Sequence, residues 1–276
     1  MPTFQRGHAT IHYTDTGAPA GKPDAPVVFF GHGLLFSGWM FEPQMAALRN
    51  DYRCISIDWR GQGSSPVGLG GYEMDTLTID VYELLRHLDV PVVNYVGLSM
   101  GGFVGVRLAA RHPESVHTLT LLNTSVGPEE PEKRKKYMLL TKAYRVAGPR
   151  LLRKQVAPIM LAPDNLDAPW IDEWIDRLAR TDSKGIIRAV EAVADRDPCE
   201  TEAGRIFAPT MVIAGEHDLA TPKEKSQQIA DIIPQAELHV IPGAGHSSTL
   251  EKPDEITALL TRFLAANGPH QDSKTT

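Results

Sequence analysis

Val96-Gly97-Leu98-Ser99-Met100-Gly101-Gly102 decides how the rest of this chain is read. An apolar, β-prone run, Val92-Val93-Asn94-Tyr95-Val96, leads into it. A small-residue helical pattern from Phe103 to Arg111 leads out. A serine between two glycines at a strand-to-helix junction has a steric rationale. So tight a turn holds the serine in an unfavourable backbone conformation and brings the residues two positions either side together. Glycine at 97 and 101 omits side chains that would collide there. The turn exposes the hydroxyl and points the first amides of the following helix at whatever the hydroxyl attacks. A glycine-rich turn with an incidental serine is the plain alternative; the flanks and the partners described below weigh against it.

Outward from this stretch, apolar strand-like runs alternate with helical patterns. Ala9 to Gly17 alternates as a strand closed by a turn, and Ala18 to Pro26 is a Pro/Gly/Ala loop. Val27-Val28-Phe29-Phe30 is continuously apolar, as a strand buried on both faces is, and it runs into Gly31-His32-Gly33-Leu34. A helix is predicted from about Phe41 to Arg49, then a strand over Tyr52–Asp58 ending in the polar loop Asp58 to Pro66. Leu77, Val81, Leu84, Leu85 and Leu88 give residues 74–88 helical periodicity. Thr118 to Asn123 reads as another buried strand. The alternation then stops, and from Val126 to about Phe207 no sheet strand is expected. Trp170, Ile171, Trp174, Ile175 and Leu178 have the spacing of an amphipathic helix. The charged run from Glu129 to Lys136 reads as a solvated helix face rather than a binding patch. The alternation resumes with a strand over Pro209–Gly215, a helix from about Lys223 to Ile233, a strand over Glu237–Ile241 and a helix from about Asp254 to Ala265. The polar tail from Asn267 to Thr276 is expected to fray.

Strands alternating with helices imply a mostly parallel α/β sheet with helices on both faces. The expected division is a core of residues 1–125 and 208–276 with a helical cap over 126–207. The cap is placed above the carboxyl ends of the strands, where ligands bind in open α/β sheets.

Composition narrows the function. The chain has 276 residues, 42% of them hydrophobic, enough to bury a large core. A formal net charge of -6 argues against non-specific nucleic-acid binding, which uses a basic face. The two cysteines, Cys54 and Cys199, provide neither a disulfide framework nor metal-ligand spacing, and Cys54 reads as a small core residue. No apolar run approaches the ~20 residues of a membrane helix, and the N-terminus has no apolar signal core. A soluble cytoplasmic protein with no membrane partner is expected.

A serine hydroxyl at neutral pH needs a base, and the base needs an orienting group. His246, in Pro242-Gly243-Ala244-Gly245-His246-Ser247-Ser248, follows the last predicted strand. Asp218, in Gly215-Glu216-His217-Asp218, follows the strand before it. Glu216 competes for the carboxylate role and His217 for the base. The negative oxygen formed on attack needs donors already in place. The N–H of Met100, beside the serine, is one candidate, and the N–H of Leu34 is the second. His32 is read as a brace for that loop rather than as a catalyst. Met160, Trp170 and Trp174 are candidate pocket residues, or else the cap's own core.

These segments resemble the α/β-hydrolase superfamily. The His-Gly loop, Asp58-x-Arg60-Gly61-x-Gly63-x-Ser65, Gly97-x-Ser99-x-Gly101-Gly102, Gly215-x-x-Asp218 and Gly245-His246 fall in its order and spacing, and the order Ser99, Asp218, His246 is that of its triads. Gly97 to Gly102 and Ala109-Ala110-Arg111-His112-Pro113 look like the bacterial group of carboxylesterases, 3-oxoadipate enol-lactonases and cofactor-free haloperoxidases (perhydrolases). The resemblance implies hydrolysis of a small-molecule carboxylic ester or lactone, with no metal and no organic cofactor. Serine at 99 departs from the aspartate of haloalkane dehalogenases and epoxide hydrolases. Leu34-Leu35-Phe36 departs from the longer glycine/proline-rich loop of proline iminopeptidases and many C–C hydrolases. Acyl transfer, perhydrolysis or C–C cleavage on the same triad is the alternative chemistry. A non-catalytic small-ligand receptor on this scaffold is the alternative of another class.

Overall fold

The computed structural model describes residues 1–268 and, at Leu151 and Leu152, the backbone alone. The expectation for the tail beyond Gly268 lies outside the described residues. The strands are β1 Thr3–Arg6, β2 Ala9–Asp15, β3 Val27–Gly31, β4 Arg53–Ile57, β5 Val93–Leu98, β6 Val116–Leu122, β7 Thr210–Gly215 and β8 Glu237–Ile241. The helices are α1 Glu42–Leu48, α2 Met74–His87, α3 Met100–Arg111, α4 Pro131–Met160, α5 Trp170–Arg180, α6 Ser183–Ala194, α7 Glu200–Ala203, α8 Lys223–Ile232, α9 Ser248–Glu251 and α10 Pro253–Ala266.

The eight strands form one sheet in the order β1-β2-β4-β3-β5-β6-β7-β8. From β4 to β8 every neighbouring pair is parallel, while β1 and β2 join antiparallel at one edge. This is the expected α/β-hydrolase architecture. Thr3–Arg6 is an addition to the sequence reading: too short to show a period, it becomes a strand by pairing with β2 across the turn at Gly7. The helix predicted from Phe41 begins as a 3-10 turn over Gly38–Phe41 and becomes α-helical at Glu42, where Pro43 suits a first turn.

The continuously apolar β3 has a core on each side. Phe29 packs with α2 and α3 residues such as Leu84 and Val104, while Val28 and Phe30 pack with α1 and α10 residues such as Met45 and Leu260. Cys54 and Cys199 are both buried and unpaired. Burial pushes the Cys54 thiol up to about 12, as befits a small core residue.

Among the described residues no strand lies between Leu122 and Thr210; helices α4 to α7 occupy that interval. α4 is two helices meeting at Gly148, whose φ of 69° is easy only for glycine, and Pro149 starts the second. α5 and α6 lay Leu178, Ile186, Ile187 and Val190 against Tyr144 of α4. No described helix is long and apolar enough to cross a membrane.

Candidate active site

The parallel strands β3, β5, β6, β7 and β8 each hand a residue to one place at their carboxyl ends. β5 ends at Leu98, and Ser99 follows with φ 52° and ψ -110°, a costly conformation for a residue with a side chain. Its surroundings hold it there. The Ser99 N–H donates to the Leu122 carbonyl at 2.9 Å, and its own carbonyl accepts from Phe103 N–H at 3.0 Å and Thr124 Oγ1 at 2.8 Å. A Cβ on Gly97 would strike the Gly101 carbonyl, which is the collision expected from the sequence. A Cβ on Gly101 would strike the Gly31 carbonyl of β3, a contact that only the folded sheet reveals.

His246, after β8, is 3% exposed, and its Nδ1 lies 2.9 and 3.0 Å from the two carboxylate oxygens of Asp218, after β7. Asp218 is held on every side. It accepts from Asn123 Nδ2 at 2.8 Å, from the amides of Ala220 and Thr221 at 2.8 Å each, and from Thr221 Oγ1 at 2.8 Å. Burial pushes its carboxyl up, but His246, the Thr221 amide and Asn123 outweigh burial and hold it below the ordinary carboxylate value. An ionised Asp218 only accepts, so the Nδ1 of His246 carries the proton and Nε2 is left as a base. Ser99 and His246 border one cavity. Glu216 and His217 each keep 48% of the side chain exposed, and Glu216 accepts from Gly243 N–H at 3.0 Å. Neither reaches His246.

The loop after β3 supplies amides. Gly33 N–H meets Met40 Sδ at 3.4 Å and Leu35 N–H donates to Gln62 Oε1 at 3.0 Å. The Leu34 N–H between them has no partner among the described residues, nor has the Met100 N–H at the start of α3. Helix-start amides are the groups a helix leaves unbonded. His32 is fully buried, with Nδ1 donating to Gly33 O at 2.7 Å and Nε2 accepting from Trp59 N–H at 3.0 Å. Burial lowers its pKa to about 4 against the opposing pull of Asp58, so it is a neutral brace.

Of the candidate pocket residues, Met160 borders the cavity and Trp170 and Trp174 do not. Trp174 is 1% exposed, stacks on Phe36 with centroids 4.9 Å apart, and donates its indole N–H to Leu35 O at 2.9 Å. Trp170 packs against the same core layer. Neither tryptophan faces the cavity, because this end of the α5 stripe packs with Phe36 of the loop after β3.

The charged run from Glu129 is not a solvated face throughout, as the sequence suggests it is. Glu129 lies just before α4, its side chain is 7% exposed, and it pairs with the buried Arg196 at 2.9 Å. The run's solvated face holds for residues such as Lys135 and Lys136, not for Glu129. Asn123, Thr221 and Glu251 are further site residues missing from the sequence reading. Asn123 had a visible signal: it directly follows a buried strand, as Ser99 does. Glu251 had none. Its carboxylate accepts from Gly245 N–H and Ser247 N–H, either side of His246, and from Ala162 N–H and Asn165 Nδ2 in the turn after α4. Among the described residues no three or more His, Cys, Asp or Glu side chains converge as metal ligands.

Known proteins share this architecture. RutD of Stutzerimonas stutzeri A1501, named as a carbamate hydrolase, is 30% identical over 254 residues, covering 88% of this chain and 93% of that protein. The 3-oxoadipate enol-lactonase 2 of Acinetobacter baylyi is 30% identical over 252 residues, covering 89% and 92%. The crystal structure of the enol-lactonase from Burkholderia xenovorans LB400 superimposes with a TM-score of 0.88 at 30% identity, covering 96% of this chain and all of that one. The family model for the alpha/beta hydrolase fold matches residues 26–144 and 159–253, more than half of the chain, and with these relatives it establishes that the chain belongs to the alpha/beta hydrolase fold family.

Proposed function

We propose that the chain is a serine hydrolase that cleaves a carboxylic ester or lactone through an acyl-enzyme, with Ser99 as nucleophile, His246 as base and Asp218 as its orienting carboxylate. The cap over residues 126–207 covers the acyl site. The observation that carries this reading is the Asp218–His246 pair at 2.9 Å beside a serine held at φ 52°, with serine and histidine bordering one cavity.

The steps follow from the geometry. His246 Nε2 takes the Ser99 hydroxyl proton as Oγ attacks the carbonyl carbon. Asp218 stabilises the imidazolium that forms and does not itself take the proton. The tetrahedral oxygen is received by the N–H groups of Leu34 and Met100. Collapse breaks the bond to the leaving oxygen, which takes the proton from His246. In a lactone that oxygen remains attached to the acyl chain. Water then gives a proton to His246 and its hydroxyl to the acyl carbon; the bond from that carbon to Ser99 Oγ breaks, Oγ takes the proton back from His246, and the acid is released. Carbamates undergo the same carbonyl substitution, and the likeness to RutD supports placing them in the substrate panel.

The test is fluorophosphonate labelling together with hydrolysis of p-nitrophenyl esters, a lactone and a carbamate, on wild type and Ser99→Ala. Loss of labelling and at least about a 10⁴-fold loss of turnover in a folded variant is expected. Turnover retained in Ser99→Ala rules the reading out.

A further inference from the structure

The cavity beside Ser99 and His246 has a volume of about 90 Å³. Its wall is mostly apolar: Leu34 and Leu35 from the loop after β3, Phe103 from α3, Val156 from α4, Ile186 and Val190 from α6. No lysine or arginine is among the described residues lining it. Glu129 is the one carboxylate there.

The cations nearest to Glu129 are already committed to it. Arg196 pairs with it at 2.9 Å and Lys133 at 3.6 Å. Arg196 also donates to Val193 O at 2.8 Å and Ser125 Oγ at 3.2 Å, and its guanidinium lies 4.3 Å from the centre of the Phe103 ring. Its Nε is buried without a partner, but Arg196 is not among the residues lining the cavity. The polar groups that α4 adds to the wall are hydroxyls. Tyr137 and Tyr144, two turns apart on α4, both line the cavity, and neither hydroxyl has a protein partner among the described residues. Burial pushes the Tyr144 phenol up to about 12; burial, and then the nearby Glu129, push Tyr137 up as well.

A carboxylate drawn into this cavity loses its hydration and meets a mostly apolar wall, no lysine or arginine and a resident carboxylate. An unpaired buried charge of that kind is strongly disfavoured. An uncharged chain loses nothing comparable and gains apolar burial. A cavity of about 150 Å³ holds a benzene ring, so 90 Å³ suits a short chain.

Resting on the serine-hydrolase reading, we propose that the acyl site of this chain takes a short, uncharged, apolar acyl group and excludes one that carries a carboxylate. An anionic lactone or a half-ester of a dicarboxylic acid is then a poor substrate. A neutral aliphatic ester or lactone, or one with a single acceptor oxygen for Tyr137 or Tyr144, is a good one.

The experiment compares p-nitrophenyl hexanoate with the mono-p-nitrophenyl ester of adipic acid, which has the same six-carbon acyl chain ending in a carboxylate. Fluorophosphonate labelling of Ser99 is followed in parallel. A kcat/KM at least 30-fold higher for the neutral ester is expected. A smaller ratio, or preference for the charged ester, overturns the proposal. Glu129→Gln, which removes the resident carboxylate and frees Arg196 and Lys133, is expected to narrow the ratio at least fivefold. Val156→Lys, which adds a cation to the wall, is expected to do the same if Glu129→Gln does not fold. An unchanged ratio in a folded variant overturns charge as the cause. Absence of both labelling and turnover of either ester defeats the serine-hydrolase reading itself, and this inference falls with it.

Discussion

Trp59 holds His32 from two sides: its main-chain N–H donates to His32 Nε2 at 3.0 Å, and its indole N–H donates to the His32 carbonyl at 2.8 Å. Nε2 must stay unprotonated to accept, and burial, which sets the pKa at about 4, keeps it so. In the unfolded chain histidine titrates near 6.5. Between those values the unfolded chain binds a proton that the folded one refuses, so stability falls as pH falls from about 6.5 to about 4. The loss is roughly 3 kcal/mol. Thermal midpoints of wild type and His32→Gln across this range check it. The wild type should lose more stability on acidification than the variant, and parallel curves would contradict the assignment.

Asp218 titrates in the same direction over a lower window. Its carboxyl is held below the ordinary value, so the stability it contributes is fully present above the unfolded value of about 3.9 and is lost as pH falls through its depressed native value. The stability gap between wild type and Asp218→Asn is therefore expected to shrink as pH falls below about 4. Denaturant midpoints as a function of pH measure it. The same variant leaves the His246 tautomer undirected, and ester turnover should drop by about 10⁴-fold at neutral pH.

Leu35, next to the candidate oxyanion amide of Leu34, has φ 70° without being glycine. Its N–H is held by Gln62 and its carbonyl by Trp174 of α5. Trp174→Phe leaves an aromatic ring beside Phe36 but removes the N–H together with the second ring of the indole. We expect kcat for ester hydrolysis to fall about tenfold with KM little changed, because a looser loop misplaces a donor in the transition state rather than the bound substrate. Steady-state kinetics separate the two. A rise in KM alone would return Trp174 to the pocket role its sequence position suggested.

Glu251 fastens the two amides flanking His246 to the end of α4 and the turn after it. Glu251→Gln replaces one carboxylate oxygen with a donor and leaves amides facing it unpaired. A stability loss of about 2 kcal/mol is expected, with kcat/KM down about tenfold. Chemical denaturation and ester kinetics test both. Loss of stability with unaltered kinetics in the folded variant would make Glu251 a structural clamp only.

The parts of the site legible in the sequence share one property: they are local. A Gly-x-Ser-x-Gly turn is written within five residues. The loops bearing His246 and Asp218 stand directly after apolar runs of strand length, and parallel strands bring such ends together. The positions of Ser99, His246 and Leu34 at strand ends, and the mostly parallel sheet, are therefore legible in the sequence. Short β1 could not, because its only signal is the partner it pairs with.

Chain sequence by itself determined which residues stand at the strand ends and that a helical interval interrupts the sheet, since period and turn chemistry act over a few residues. Tertiary structure decided what depends on approach between distant segments. Asp218 rather than Glu216 faces His246 because Asn123, Thr221 and the β8 loop converge on it. Trp174 meets Leu35 across 139 positions, Glu251 meets Ala162 across 89, and Glu129 is buried by Arg196 across 67. Periodicity on a single helix says which face is apolar. It does not say whether that face closes against the core or lines a cavity, because that is set by the packing of the other side.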